Sequence, residues 1–352
     1  MTSSSNGDRP RLLSIATAVP PNVLHQEDIL TESRALLETR FPQFDRLAPA
    51  FVNAGIDQRH SVVPLDWFRQ PHGWVDRTQA YADGATQLFR EAAGRALDQA
   101  GLRADEVDIV VTVSSTGIVT PTLEALSAKQ MGFRSDVMRV PVFGLGCAGG
   151  VSGLSIAADL SVARPGAVVL MVAVETCTVL FRLDRLAKAD IIATALFGDG
   201  AAAVVLRSGQ PGDAVRPAIG QGRQHMWPDT LGIMGWTVEE TGLGVIFDRS
   251  IPAFAEAELR PALEGLMPDR SVDRHVCHPG GAKVIAALET SLSLAAGTLD
   301  AERQVLAQNG NMSAPTVLFV LEQVLRGGAS GTLLTMALGP GFTLSVLPIE
   351  VA

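Results

Sequence analysis

The chain has 352 residues, 47% hydrophobic and 18% charged, with a net charge of −9. That length exceeds the roughly 100–200 residues of an ordinary domain, so one large or two fused domains are expected, with a core that needs no disulfides or structural metal. The acidic balance argues against nucleic acid or an anionic membrane as the main partner, yet a locally basic site can still take an anionic small molecule. The three cysteines, Cys147, Cys177 and Cys277, make no even disulfide framework, which points to a reducing compartment.

The N-terminus, MTSSSNGDRPR, lacks the apolar stretch of a secretory signal. The longest apolar run noted, GAVVLMVAVE (166–175), is about half a membrane span. These features predict a cytoplasmic protein with no membrane span. A mean hydropathy of +0.24 comes from Ala, Val and Leu spread along the chain. It fits an interior poor in polar groups or a buried interface between copies, so an oligomer is expected.

Residues 1–10 read as a disordered tail. An apolar alternation follows in RLLSIATAVP, then a helix from about Gln26 to Thr39. From Ala80 to Ala100 the spacing of Leu88, Phe89, Ala92 and Leu97 predicts an amphipathic helix ended by Gly101. VDIVVTVSSTG (107–117) reads as a buried strand running into a polar loop, and VMRVPVFGLG (137–146) as a second strand. CAGGVSGLSIAADLSVARPG follows as a helix with small residues on nearly every side, then AVVLMVAVE as a third strand. FGDGAAAVVLRSG (197–209) reads as a turn into an edge or hairpin strand.

The second half repeats this grammar: a helix near 250–266, the strand DRHVCHPGG (273–281), a helix from Ala282 to Ala295, and a loop and helix over 309–325. Two strands joined by a Gly-Pro-Gly turn end the chain. Alternating strands and helices imply parallel sheets covered by helices. Two such halves, 11–212 and 213–352, are expected to fold as one body, with the helix after Cys147 buried between them.

Cys147 follows an apolar strand and a Gly-x-Gly turn and opens a helix, where unpaired N–H groups favour a thiolate. The alternative is an inert buried cysteine, the commonest fate of a free thiol. His278 ends a strand immediately before Pro279-Gly280-Gly281, at the sheet edge where sites gather in parallel sheets. A metal reading of His275, Cys277 and His278 fails on strand alternation and on the lack of a second ligand pair at zinc spacing. Asn309-Gly310-Asn311-Met312-Ser313 is a third loop opening a helix; one asparagine suffices for a cap, leaving the other to donate a hydrogen bond. A Cys, a His and an Asn at three such corners make a coherent acyl-transfer set.

GLGCAGG, VCHPGG and GNMSA, together with FGDGAAA and the C-terminal GPG turn, resemble a type III polyketide synthase. This is the chalcone-synthase-like branch of the thiolase-fold superfamily, and the short cysteine turn looks bacterial. The resemblance covers nearly the whole chain after residue 10. It implies an α/β thiolase-like fold, two duplicated βα halves packed as five layers (αβαβα), and a homodimer. It also implies that Cys147 takes a starter acyl group from coenzyme A. His278 and Asn311 would hold the malonyl thioester carbonyl during loss of CO2, with His278 keeping Cys147 as thiolate. Acyl-CoA and malonyl-CoA would be substrates, and no cofactor or metal would be required.

By the same resemblance Phe197 falls at a gatekeeper position, Val245 at that of a second, absent aromatic gatekeeper, and Leu180 at a small pocket-lining position. Thr120 falls where plant enzymes place a methionine that reaches the neighbouring subunit. Ser115, Thr116, Ser313, Gly339 and Pro340 complete the expected pocket wall. The coenzyme-A-anchoring bases are poorly matched: LAPAFVNAGIDQRH keeps Arg59 but offers no lysine, and no contact is assigned. Low aromatic content (5%) with Leu180 and Val245 tilts the reading towards a fatty acyl starter and alkylpyrone or alkylresorcinol products. The alternatives are a small-aromatic synthase using malonyl-CoA alone and a ketoacyl synthase III, whose histidine is followed by Gln-Ala-Asn rather than Pro-Gly-Gly.

Overall fold

The computed structural model describes residues 9–352 apart from 186, 269 and 270. The tail predicted for 1–10 falls mostly outside the described residues, but Arg9 and Pro10 are ordered. Arg9 pairs with Glu350 at 2.5 Å, and the Pro10 carbonyl accepts from Ile219 N–H at 2.8 Å.

The strands of the first half are β1 (Arg11–Ala18), β2 (Asn22–His25), β3 (Gln58–Ser61), β4 (Ile109–Val113), β5 (Met138–Val142), β6 (Val169–Thr176) and β7 (Asp199–Arg207). Those of the second are β8 (Ala218–Ile219), β9 (Arg223–Met226), β10 (Met234–Val238), β11 (Leu243–Phe247), β12 (Arg274–Cys277), β13 (Gly331–Gly339) and β14 (Thr343–Val351). Ten of them form one sheet in the order β12-β13-β14-β8-β1-β7-β6-β4-β5, with β9 added on β14. The two-residue β8 joins β1 to β14, so the sheets of the two halves are continuous. The sheet is mixed rather than parallel: only β4–β5, β4–β6 and β12–β13 run parallel. Nor is β7 an edge. It lies between β1 and β6, with Ala201–Leu206 sealed from solvent, because a run apolar on both faces is stable only when covered on both.

The helices are α1 (Gln26–Leu37), α2 (Phe44–Leu47), α3 (Pro49–Val52), α4 (Trp74–Ala100), α5 (Leu123–Met131), α6 (Gly149–Ala163), α7 (Lys188–Leu196), α8 (Ile251–Leu266), α9 (Ala282–Ser291), α10 (Asp300–Asn309) and α11 (Thr316–Arg326). On the outer face of the first half, α4 buries Tyr81, Leu88, Phe89 and Leu97 against β1, β6 and β7. It starts six residues before the predicted Ala80, and Gly101 ends it at φ +67°. On the outer face of the second half, α8 and α9 pack on β12, β13 and β14 through Leu259, Ile285 and Leu288. Between the halves lie α6 and α11, and α6 touches β4, β6 and β7 from one half and β13 and β14 from the other. This is the five-layer α/β thiolase-like arrangement.

The stretch Gly146–Ala163 is long and apolar enough to cross a membrane, but 67% of it is buried inside the molecule. Among the described residues it is the one helical segment that meets this length and composition, and its apolarity is explained by its place between the two halves. The helix α10 and the hairpin β10–β11 were not anticipated from sequence.

Candidate active site

Residues Gly146–Ala148 make a 3-10 turn ahead of α6. Gly146 sits at φ +47°, and a Cβ there would lie 2.7 Å from the Pro340 ring, so the Gly-Pro-Gly turn presses directly on the cysteine turn. Cys147 is 8% exposed. The helix N-terminus was expected to lower its pKa. Instead burial pushes the thiol up to about 11, with the Glu175 charge adding to the rise and the Ser313 and Asn311 side chains pulling the other way. Desolvation of a thiolate at that depth outweighs the helix end.

His278 follows β12, its backbone N–H donating to the Met336 carbonyl at 2.9 Å. Both ring nitrogens are buried without a partner, and burial drives the imidazole down to about 3. Asn311 Oδ1 accepts from Ser313 N–H at 2.8 Å and lies 4.0 Å from Cys147 Sγ; Nδ2 donates to the Gly280 carbonyl at 3.2 Å. Cys147, His278 and Asn311 line one cavity of about 450 Å³, closed by Met234, Phe247 and Leu338. The structure brings the three corners together at this cavity. The expected thiolate–imidazole pairing does not appear: among the described residues no hydrogen bond joins Cys147 to His278, and burial drives each to its neutral form.

The loop carrying Asn311 is latched to Phe197. Gly198 N–H donates to the Asn311 carbonyl at 3.0 Å, and Asn311 N–H to the Leu196 carbonyl at 2.8 Å. Gly198 has no room for a side chain, since a Cβ would stand 2.3 Å from the Asn309 carbonyl oxygen. Arg59 braces the same loop from below. It is buried, donating to the carbonyls of Thr194 (2.6 Å), Ala195 (2.8 Å) and Phe197 (2.9 Å) and to Gln26 Oε1. Burial lowers its pKa to about 9, and its guanidinium is spent inside the protein rather than offered to coenzyme A.

The Phe197 ring stands edge-on to Trp236 (6.3 Å) and Phe247 (6.5 Å). Phe197, Val245, Ser313 and Pro340 line a second cavity of about 340 Å³, which also contains Cys147 and Trp236. On the far side of Phe197 a third, largely apolar cavity of about 660 Å³ runs past Leu180 and Val245 to Ile29 and Leu36 of α1. Gly339, Ser115 and Thr116 are placed otherwise than at the expected wall. Gly339 lies behind the wall, packed so tightly on the cysteine turn that a Cβ would meet Ala148 Cβ at 2.6 Å. Thr116 Oγ1 donates to Glu175 Oε2 at 2.7 Å, as does the Ser115 backbone N–H at 2.9 Å, while the Ser115 hydroxyl accepts from Gly144 N–H at 3.0 Å. Thr120 is exposed on the surface and lines none of these cavities.

Three features escaped the sequence reading. Glu175 is completely buried at the end of β6, its Oε1 unpartnered and its pKa raised to about 7 by burial. Trp236 roofs the cysteine from the hairpin. The third is a broad cleft that opens beside the Cys147–His278 cavity, sharing Phe247, Gly280 and Val284 with it, and that carries Arg46, Lys188, Arg249 and Lys283. These four cations come from four separate segments, so no local run of charge announced them.

Residues 74–210 match "Chalcone and stilbene synthases, N-terminal domain" and residues 218–351 match "Chalcone and stilbene synthases, C-terminal domain". The chain belongs to the chalcone and stilbene synthase family. It is 39% identical over 344 residues to the 1,3,6,8-tetrahydroxynaphthalene synthase of Streptomyces peucetius subsp. caesius, covering 94% of this chain and 90% of that one. It is 33% identical to a "Putative chalcone synthase" of Bacillus subtilis (strain 168), covering 96% and 97%. The crystal structure of the 1,3,6,8-tetrahydroxynaphthalene synthase of Streptomyces coelicolor A3(2), a bacterial type III polyketide synthase, superposes with a TM-score of 0.89 at 28% identity, covering 97% of this chain and all of that one. As a type III polyketide synthase this protein is an acyltransferase that performs decarboxylative condensation with malonyl-CoA.

Proposed function

We propose that this type III polyketide synthase builds a small polyhydroxylated aromatic from malonyl-CoA units alone, with Cys147 as nucleophile and His278 and Asn311 as the decarboxylation pair. The observation that carries this reading is the confinement of Cys147: both cavities it lines are small, and Phe197, Trp236 and Phe247 crowd them. The names of the Streptomyces relatives point the same way.

Coenzyme A would enter along the cleft of Arg46, Lys188, Arg249 and Lys283, whose charges suit its phosphates. The Cys147 proton passes to His278 as sulfur attacks the thioester, giving acyl-enzyme and free coenzyme A thiol. A malonyl thioester then turns its carbonyl oxygen to the imidazole of His278 and the second N–H of Asn311 Nδ2. Loss of CO2 leaves its bonding electrons in the enolate, which these donors stabilise. The enolate carbon attacks the Cys147 thioester and expels the thiolate, giving a β-ketoacyl-CoA two carbons longer; Cys147 then takes this chain back as its thioester, freeing coenzyme A thiol, before the next condensation. Because decarboxylation generates the nucleophile, the scheme calls for no cofactor.

A second reading has its own observation. The cavity beyond Phe197, lined by Leu180 and Val245, is largely apolar, which suits a fatty acyl starter and would lead to alkylpyrones or alkylresorcinols. Incubation with malonyl-CoA and a starter series from acetyl to C18 acyl-CoA, read by mass spectrometry, decides between them. A product from malonyl-CoA alone supports the first reading; incorporation of the long chain in preference to malonyl-CoA overturns it in favour of the second. A homodimer fits the exposed edge strand β5, flanked by Phe143 (59% exposed) and Ile118 (51%). Three free buried cysteines suit a cytoplasmic setting.

A further inference from the structure

The scheme above leaves two buried polar groups idle. The Trp236 indole Nε1–H is sealed from solvent and has no acceptor. Ser313 is 2% exposed; its hydroxyl lies close enough to Cys147 to hold down the thiol pKa, yet it meets no partner with hydrogen-bond geometry. Both line the 340 Å³ cavity with Cys147, Phe197, Val245 and Pro340. Buried donors without partners are destabilising, and where they persist they mark a place prepared for a ligand.

Both groups are held in position. Trp236 pairs with Val245 across the hairpin and stands edge-on to Phe197. Ser313 is fixed at φ +60°, its N–H on Asn311 Oδ1 and its carbonyl accepting from Thr316 Oγ1 at 2.9 Å. Strain of that kind in a non-glycine residue is kept where the surroundings enforce it. His278 and Asn311 line the other cavity, and Cys147 belongs to both. A chain tethered to Sγ therefore has the decarboxylation pair on one side. On the other is an apolar chamber with two polar atoms.

We infer that Trp236 Nε1 and Ser313 Oγ are positioning residues for the tethered β-keto chain, donating hydrogen bonds to its carbonyl oxygens between condensations. This rests on Cys147 being the nucleophile. An indole N–H donates and never accepts, so its ligand must bring an acceptor into an otherwise apolar chamber. A saturated alkyl chain brings none. A β-keto chain brings one at every second carbon, so the pair recognises the growing polyketide itself and favours it over an alkyl starter.

The test compares Trp236→Phe, Trp236→Tyr and Ser313→Ala. Intact-protein mass spectrometry counts acylated Cys147, and product analysis gives the ratio of full-length product to chains released early, per acylated enzyme. Losses of folding or loading drop out of that ratio. Trp236→Phe and Ser313→Ala are expected to lower it about tenfold each, the worth of one hydrogen bond. Trp236→Tyr, matched to Phe in size but carrying an O–H, is expected to recover most of the loss. An unchanged ratio in Trp236→Phe, or Tyr behaving as Phe does, overturns the inference. If wild-type enzyme never acylates Cys147, the underlying nucleophile reading fails instead, which is a distinct result.

Discussion

Cys147 and His278 share a cavity in which neither gains from carrying a charge alone. Burial raises the thiol to about 11 and depresses the imidazole to about 3, so each rests neutral on its own, and a charged pair arises only when a proton passes from one to the other. His278→Gln removes the acceptor and leaves the thiol facing burial unopposed. The midpoint for Cys147 alkylation by iodoacetamide, followed against pH, is expected to rise in this variant; an unchanged midpoint would show that His278 does not take the proton. The three corners that carry Cys147, His278 and Asn311 were readable as local features because each announces itself as a strand end, a glycine turn or a helix start. Hydroxyls after a strand look the same whether they face substrate or are taken up inside the protein, as Ser115 is by Gly144 N–H and Thr116 by Glu175. Trp236 gave no signal at all. Its meaning comes from Phe197 and Ser313, which only the fold brings near.

At the scale of elements, the hairpin β10–β11 stands outside the large sheet and forms a separate two-stranded ribbon over Cys147. Such a ribbon is marginal by itself, and here its tip is tied down. Glu239 pairs with Arg182 (2.8 Å) and Arg185 (3.1 Å), its carbonyl accepts from Trp74 Nε1 (2.9 Å), and Thr241 donates to Asp184 at 2.6 Å. Glu239→Ala is expected to speed amide exchange across 234–247 about tenfold, while the buried strands β6 and β7 keep wild-type protection. Equal acceleration in both would mean the tie supports the whole protein. The hairpin escaped the sequence reading because its apolar residues do not alternate cleanly between turn signals. The helix α10 escaped because DAERQVLAQN is largely polar, its one deeply buried acid, Glu302, being used to accept from Cys277 N–H. The strand β7 was seen but misplaced, since apolar content reports burial and not neighbours.

For the molecule as a whole, two buried carboxyls set a pH dependence. Glu175 and Asp199 are each raised to about 7 by burial, from ordinary values near 4.5 and 3.8. The folded chain holds these protons where the unfolded chain has lost them. Their contribution to stability is therefore full below about pH 4 and is lost as pH rises through 7. Glu175→Gln imitates the protonated acid. Thermal melts are expected to show it matching wild type near pH 4 and exceeding it at pH 8 by on the order of 2–3 kcal/mol. A constant difference at both pH values would refute the buried-acid account. The α/β layering was legible in the alternating strands and helices. Continuity of the sheet through the two residues of β8 was not, because so short a pairing has no pattern of its own.

Cys147 stands in the turn that opens α6, between the two halves of the large sheet, while the ceiling above it hangs on a ribbon outside that sheet. Foundation and ceiling thus answer to different constraints. Changes in α6 threaten the fold before they touch the chemistry, whereas the ribbon is free to drift in length and composition with the foundation intact. A change in the ribbon therefore reshapes the chamber around Cys147 without disturbing the layers that carry it.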